Sequence, residues 1–170
     1  MKSLNLDFLK IGAALGFLFL FSINVAAYGK INLDYDGKAD FLVFRPSNGT
    51  WYGYSTETQN TFAVRWGLAT DKPVPADYDG DGITDVAVFR PEGGVWYVSQ
   101  SSNGQVQITQ WGLADDRPTL GDYDGDNRSD PAVFRPSTGT WYILQSWNNT
   151  FRANQFGLDG DIPVSSAYVP

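Results

Sequence analysis

A chain of 170 residues with 19 Asp and Glu against 12 Lys and Arg carries a net charge of -7, which disfavours nucleic-acid phosphates and anionic lipid surfaces as partners. It contains no His and no Cys, which removes the Ser-His-Asp triad, the cysteine nucleophile, the usual zinc ligands and any disulfide. The length suffices for one domain with a real core, so something other than disulfides must fasten it.

At the start, Lys2 and Lys10 flank a mostly polar stretch. The apolar run IGAALGFLFLFSI (11–23) follows, and then Val25-Ala26-Ala27, small residues of the kind a signal peptidase cuts. The expectation is a secretory signal peptide over 1–27 and a mature chain over 28–170. The rival is an uncleaved anchor, but spanning needs roughly 20 apolar residues and this run is shorter. No later segment is long and apolar enough to cross a membrane, so none is expected to insert after cleavage. The mature protein is expected to be secreted or to sit on the exterior of the cell envelope. From Tyr28 onward, 18 acids face 10 bases, a net charge of -8.

From residue 28 the chain repeats. Phe44-Arg45-Pro46, Phe89-Arg90-Pro91 and Phe134-Arg135-Pro136 are spaced by 45 residues. The same step separates Trp51-Tyr52, Trp96-Tyr97 and Trp141-Tyr142, and also Trp66-Gly67-Leu68, Trp111-Gly112-Leu113 and Phe156-Gly157-Leu158. Asp71, Asp116 and Asp161, each two residues before a proline, keep it too. An ungapped period of this length marks a solenoid, a propeller or a similar array. Three copies fill 28–170, with an incomplete fourth at the C-terminus.

Within each copy the order is a short run before an acidic loop (PVPAD, PTLGD), the loop, an apolar run (DFLVF, DVAVF, DPAVF), a Gly-containing turn, an aromatic run (TWYGYST, VWYVSQS, TWYILQS), and a fourth run (TFAVRWG, QVQITQWG, FRANQFG). These β-rich segments are broken by Gly, Pro, Asn and Ser. Adjacent Trp and Tyr point to opposite faces of a strand, so both faces carry large aromatics. A sheet covered on both sides reads this way. The fold class predicted is all-β, a propeller-like array of about three four-stranded blades. Trp51, Trp96, Trp141, Trp66 and Trp111 are expected in the core.

The acidic loops align by the period, not by their DYDG strings. The donor positions are Asn32, Asp34, Asp36, Lys38 and Asp40; then Asp77, Asp79, Asp81, Ile83 and Asp85; then Asp122, Asp124, Asp126, Arg128 and Asp130. Side-chain oxygens stand at positions 1, 3, 5 and 9, while Lys38, Ile83 and Arg128 at position 7 can offer only a backbone carbonyl. Hard oxygen ligands in this number suit Ca²⁺, which takes six to eight. Position 6 needs a bend, often with positive φ, which Gly37, Gly82 and Asn127 tolerate. Two carboxylates about 4 Å apart repel by roughly 4 kcal/mol at an effective dielectric near 20, so a cation is needed to hold the loop shut. The plainer reading is a set of solvated Asp-rich turns, but chance turns would not keep one ligand spacing in three copies. An EF-hand needs Glu at position 12, where Val43, Val88 and Val133 stand. Eleven of the 18 mature acids lie in these loops, and up to three Ca²⁺ would bring -8 to -2. Arg45, Arg90 and Arg135, as periodic as the loops, are expected to brace them as ion pairs.

Asp-x-Asp-x-Asp-Gly-x-x-Asp before an apolar strand, with an aromatic-Gly and a Pro marker between copies, resembles the FG-GAP/VCBS-type repeat. The resemblance covers essentially all of 28–170. It implies calcium-binding β-propeller blades, as in integrin α-subunit heads and some secreted lectins. It also implies structural ions in interstrand loops, with ligand contacts elsewhere on the propeller faces. The departure is in number: propellers close with four or more blades. In the fourth copy Ala167 and Val169 stand where Asp122 and Asp124 stand, so it has no site. Either the chain is an open arc from a larger array, or copies self-associate to close a ring, two chains giving six blades.

The function expected is an exported, calcium-binding recognition or adhesion module for a glycan or an extracellular protein, not an enzyme. The alternatives are a non-catalytic accessory module and, behind it, a carbohydrate hydrolase or lyase. Outside the loops and the periodic Asp71, Asp116 and Asp161, the acids Glu57, Glu92, Asp115 and Asp159 form no recognisable catalytic pair. Trp147 breaks the period, its counterparts being Glu57 and Ser102. A solvent-facing Trp there would stack on a sugar or anchor a protein; otherwise it covers a blade edge.

Overall fold

Each copy folds into hairpins because its apolar residues fall in short runs joined by turns that need a left-handed backbone. The computed structural model describes residues 30–164. The leader assigned to 1–27 and the unfinished fourth repeat beyond 164 lie outside the described residues. The strands are β1 (Phe41–Arg45), β2 (Thr50–Tyr54), β3 (Thr61–Arg65), β4 (Lys72–Pro73), β5 (Val86–Arg90), β6 (Val95–Ser99), β7 (Val106–Gln110), β8 (Arg117–Thr119), β9 (Ala132–Arg135), β10 (Thr140–Leu144) and β11 (Phe151–Gln155). One turn of 3-10 helix, Pro136–Thr138, joins β9 to β10.

The strands form three antiparallel sheets in the orders β1-β2-β3, β4-β5-β6-β7 and β8-β9-β10-β11. The architecture is all-β and blade-like, and the array is not closed. Two sheets have the four strands expected. The first has three among the described residues, because the counterpart of β4 falls on positions 27 and 28. The run leading into the first acidic loop, GKINL (29–33), overlaps the place that PVPAD and PTLGD hold in the later copies but forms no strand over 30–33. It still makes one sheet-like bond, Asp40 N–H to Ile31 O at 2.8 Å, matching Asp85 N–H to Ala76 O at 2.8 Å.

Register repeats from sheet to sheet. Val43 faces Tyr52 and Phe44 faces Trp51, as do Val88 with Tyr97, Phe89 with Trp96, Val133 with Tyr142, and Phe134 with Trp141. The two-faced reading of Trp-Tyr holds in detail. Trp96, Ala87 and Phe89 belong to a core shared with Val133 and Tyr142 of the third sheet. Tyr97, Val86 and Val88 belong to a separate core shared with Trp51, Phe44 and Trp66 of the first. Adjacent residues thus serve opposite neighbours, and the middle strand β5 is buried at Val86, Ala87, Val88 and Phe89. Each buried Val or Phe side chain here contributes about 1.5–3 kcal/mol by leaving water.

The two periodic markers explain each other. At Gly49, Gly94 and Gly139, φ is 63°, 62° and 60°. A Cβ there would lie 2.3, 2.1 and 2.0 Å from the carbonyl oxygens of Gly67, Gly112 and Gly157. This approach lets the backbone N–H of Trp66, Trp111 and Phe156 reach Gly49, Gly94 and Gly139 at 2.8, 2.8 and 2.9 Å. The indoles of Trp51, Trp96 and Trp141 donate back to the carbonyls of Trp66, Trp111 and Phe156 at 2.8, 2.8 and 2.9 Å. The aromatic-Gly marker is therefore the clasp that ties the outer strand to the central hairpin.

The periodic arginines correct the expectation that they brace the acidic loops. Arg90 forks onto Asp71 at 2.9 and 2.9 Å, and Arg135 onto Asp116 at 2.8 and 2.9 Å. Both carboxylates are buried at the entry to β4 and β8. The guanidinium groups of Arg45, Arg90 and Arg135 each lie 4.3 Å from the ring centres of Tyr52, Tyr97 and Tyr142. The arginines end the second strand of each unit, far along it from the loop that precedes it, so they meet the turn entering the first strand instead.

Gly94→Ala and Gly104→Ala separate contact from backbone conformation. At Gly104, φ is 70° and nothing lies within 4 Å of where a methyl would point, so alanine costs only the left-handed penalty, about 1 kcal/mol. Gly94→Ala adds the overlap with Gly112 O. Denaturant melts are expected to show a loss at least twofold larger for Gly94→Ala.

Candidate metal centre

The second and third acidic loops are built between the first and second strands of their units, and in all three copies the last aspartate stands at the entry to the strand that follows the loop. In the second copy the carboxylates of Asp77, Asp79 and Asp85 offer oxygens all within 4.8 Å of one another; in the third, Asp122, Asp124 and Asp130 do the same. These are positions 1, 3 and 9. In the first copy position 1 is Asn32, whose amide replaces the third carboxylate beside Asp34 and Asp40.

The chain bends where required. At position 6, φ is 75° for Gly37, 84° for Gly82 and 69° for Asn127. Position 4 is also left-handed, at 67° for Tyr35, 81° for Gly80 and 85° for Gly125. Sequence reasoning misses that second bend because Tyr35 hides the glycine that marks it in the other copies. Tyr35 holds the strained conformation while its ring lies over Gly82 of the next loop.

Backbone N–H groups and hydroxyls aim at the carboxylates. Asp77 accepts from Gly80 and Gly82 at 2.6 and 2.8 Å, and Asp122 from Gly125 and Asn127 at 2.6 and 3.0 Å. The final aspartate is held from two sides. Asp85 accepts from Tyr78 N–H at 2.8 Å and Ser101 N–H at 2.7 Å; Asp130 accepts from Tyr123 and Ser146 at 2.8 and 2.7 Å. Asp40 repeats this with Leu33 and Thr56 at 2.6 and 2.9 Å. Asp81 and Asp126 at position 5 turn toward the hydroxyls of Ser101 and Ser146, at 3.0 and 2.9 Å, and are not members of the converging triads. Sequence reasoning also passes over the Thr56, Ser101 and Ser146 set. Its 45-residue spacing is the signal that could have found it.

At position 7 the backbone N–H groups of Lys38, Ile83 and Arg128 cap Asp36, Asp81 and Asp126 at 2.7, 2.7 and 2.8 Å. Lys38 Nζ pairs with Glu57 and lies 3.9 Å from Asp36. The Arg128 side chain packs on Gly80 of the preceding loop. Loops of neighbouring units are also stitched by Thr84 N–H to Asn32 O at 2.8 Å, Ser129 N–H to Asp77 O at 2.7 Å, and Asn32 Nδ2 to Gly82 O at 3.0 Å. The last bond needs an amide donor, which accounts for Asn at the first position of the first loop.

These residues fit a cation that prefers oxygen. Asn32 Oδ1 is buried without a hydrogen-bond donor, which is costly unless something positive meets it, and Asp36 Oδ2, also without a donor, has only the Lys38 ammonium at 3.9 Å. Burial pushes the Asp85 carboxyl up to about 6 and raises Asp77 and Asp130 in the same direction. A neighbouring cation would offset that desolvation. The Asp34 carboxyl is lowered, chiefly by the Ser55 hydroxyl that donates to it.

Trp147 is 77 % exposed and does not cover a blade edge. Its backbone N–H donates to Asp124 at 3.1 Å, at the place where the Ser102 hydroxyl reaches Asp79 at 2.6 Å. The one aperiodic tryptophan therefore stands in solvent on the rim of the third acidic loop.

The profile of one protein family, described as an FG-GAP-like repeat, matches residues 32–88 and again 77–133. Each match runs from one acidic loop, through a blade, into the next. No curated protein matches the chain.

The carboxyl shifts set a pH dependence for protein held in chelator. Asp85 titrates near 6 when folded, against 3.8 as the ordinary value. The proton it binds more tightly in the folded state stabilises the fold below about pH 4, and that contribution is lost as pH rises through about 6. The melting midpoint in EDTA is expected to fall over that window. Asp85→Asn should flatten the slope.

Proposed function

The chain belongs to the FG-GAP-like repeat family, and from that premise we propose an exported recognition module whose acidic loops bind structural Ca²⁺ and whose ligand, a glycan or an extracellular protein, is met by the rim beside them. The observation that carries the metal reading is the convergence of Asp77, Asp79 and Asp85, and of Asp122, Asp124 and Asp130, within 4.8 Å. Carboxylates are the hard ligands Ca²⁺ selects, and the loops are already shaped by backbone donors. Asn32, Asp34 and Asp40 form the third site, with one fewer charge and a correspondingly weaker hold.

Bound ions would do the work of disulfides in a chain that has none. The loops touch one another, the first on the second and the second on the third, so an ion in one would fasten neighbouring blades. Trp147 is the residue proposed to meet ligand. A large exposed indole, fixed at its backbone by a loop aspartate, is a rigid stacking platform of low entropy cost. Glu57, the acid on which a hydrolase reading would rest, is engaged with Lys38.

Two measurements check this reading. Filling one site at a hundred times its Kd adds about 2.7 kcal/mol, so saturating Ca²⁺ should raise the melting midpoint by on the order of 10 °C when two or more sites fill. Asp79→Asn should remove a large share of that rise. Binding to a glycan array or candidate protein ligand should be lost on Trp147→Ala and in EDTA. The Trp147→Ala protein should keep its full Ca²⁺ shift, which separates a ligand residue from a structural one.

A further inference from the structure

The two ends of the array carry complementary halves of a contact made twice inside it. Between the first and second units Asp71 pairs with Arg90, Gly67 packs on Val88, and the Trp66 indole donates to Tyr97 O at 3.1 Å. Between the second and third, Asp116 pairs with Arg135, Gly112 packs on Val133, and the Trp111 indole donates to Tyr142 O at 3.2 Å. One period on, the outgoing set is Asp161, Gly157 and Phe156. One period back, the receiving set is Arg45, Val43 and Tyr52.

Both sets stand ready. Arg45 is stacked 4.3 Å over Tyr52 in the pose Arg90 and Arg135 hold, and it donates to the Tyr52 hydroxyl at 3.0 Å. It has no carboxylate partner among the described residues, since Ala26 stands one period before Asp71. Asp161 accepts from Leu158 N–H at 2.9 Å, as Asp71 accepts from Leu68 and Asp116 from Leu113 at 2.9 Å each. No cationic side chain meets its carboxylate among the described residues. Val43 is 55 % exposed, whereas Val88 and Val133 are 1 % and 0 %. Phe41, 65 % exposed, helps line an open groove of about 420 Å³ with Val43, Tyr52, Tyr54 and Phe62. At the other end Phe156 is 81 % exposed, where Trp66 and Trp111 are half-buried. The first sheet also ends at β1 among the described residues, while Asp161-Ile162-Pro163 is the counterpart of Asp71-Lys72-Pro73, which enters β4 beside β5.

We propose that the third unit of one copy docks on the first unit of a second copy, Asp161 onto Arg45 and Gly157 onto Val43, and that two copies close a six-bladed ring. The contact is head-to-tail, and such contacts give rings only where the rotation closes. Propellers close with 4–8 blades. Counting the three described units of each copy, one copy falls below that range and three copies exceed it, so two copies are the closed assembly. The Phe156 ring has no N–H to donate, so each seam lacks one hydrogen bond that the internal junctions have.

The test is sedimentation of the mature chain at micromolar concentration in Ca²⁺, with the fold checked by circular dichroism. The wild type is expected at twice the monomer mass. Arg45→Asp sets Asp against Asp161 at both seams, and Asp161→Arg sets Arg against Arg45, so each variant alone should be a monomer. Mixed in equal amounts, the two variants meet opposite charges at both seams, the wild-type pair at one and the exchanged pair at the other, and should dimerise with each other; the double variant, which carries Asp at 45 and Arg at 161 in every copy, likewise restores opposite charges at both seams and should be dimeric again. A monomeric or larger wild type, single variants that stay dimeric, or a folded double variant that stays monomeric would each overturn the proposal.

Discussion

Like charge gathered in a small volume is the constraint on which this fold turns. Three carboxylates within 4.8 Å in each of two loops repel by several kcal/mol, and the chain does little to dilute the charge. It instead surrounds the carboxylates with donors: backbone N–H groups at left-handed bends, and the hydroxyls and N–H groups of Ser101 and Ser146 from the far end of the same hairpin. Those donors fix the oxygens in place without neutralising them. Burial then lifts Asp85, Asp77 and Asp130 toward the protonated form, which is the cost a cation would offset. Because Asp85 leads straight into Val86 and the buried strand β5, whatever settles the loop also settles the middle of the blade.

A second constraint comes from the strands. A sheet with Trp on one face and Tyr on the other cannot leave either face in water. The middle unit satisfies this by giving Trp96 to one neighbour and Tyr97 to the other. It also explains why the arginines are periodic. Stacked on the tyrosine face, each guanidinium shields that ring, and those of Arg90 and Arg135 still reach a carboxylate at the turn entering the first strand. Bidentate geometry and a buried Asp make this a positioning contact as much as an attractive one. Where a neighbour is lacking, the same residues stand out in solvent, as Val43 and Phe41 do.

Much of this is legible in the sequence because the period is ungapped. The three sheets, the two-faced aromatic strands, the loop register and the bend at Gly37, Gly82 and Asn127 all follow from spacing and residue type. What is not legible has particular causes. The left-handed position 4 is masked by Tyr35, whose strain is held by contact with a loop 45 residues on. The partner of the periodic arginines is hidden because a carboxylate-rich loop lies nearer in sequence than Asp71 and Asp116, while strand direction carries the arginine away from it. The hydroxyl set at Thr56, Ser101 and Ser146 looks like ordinary turn residues. Only the third dimension shows the second hairpin turn folding back over the acidic loop.

That fold-back bears on where specificity can reside. The residue after this hydroxyl set, Glu57, Ser102 or Trp147, sits in the same place in all three units and touches the loop each time, yet its side chain differs completely. Glu57 meets a lysine of the loop, Ser102 donates to Asp79, and Trp147 anchors through its backbone and sends its ring outward. The loop constrains only one polar contact at this position, and the backbone can supply it. The side chain is then free to vary at little cost to the acidic loop, while neighbouring positions are fixed by carboxylate geometry. A repeat that locks its core and its loops leaves one exposed rim position free to vary in each blade, and it is there that the proposed recognition role has latitude.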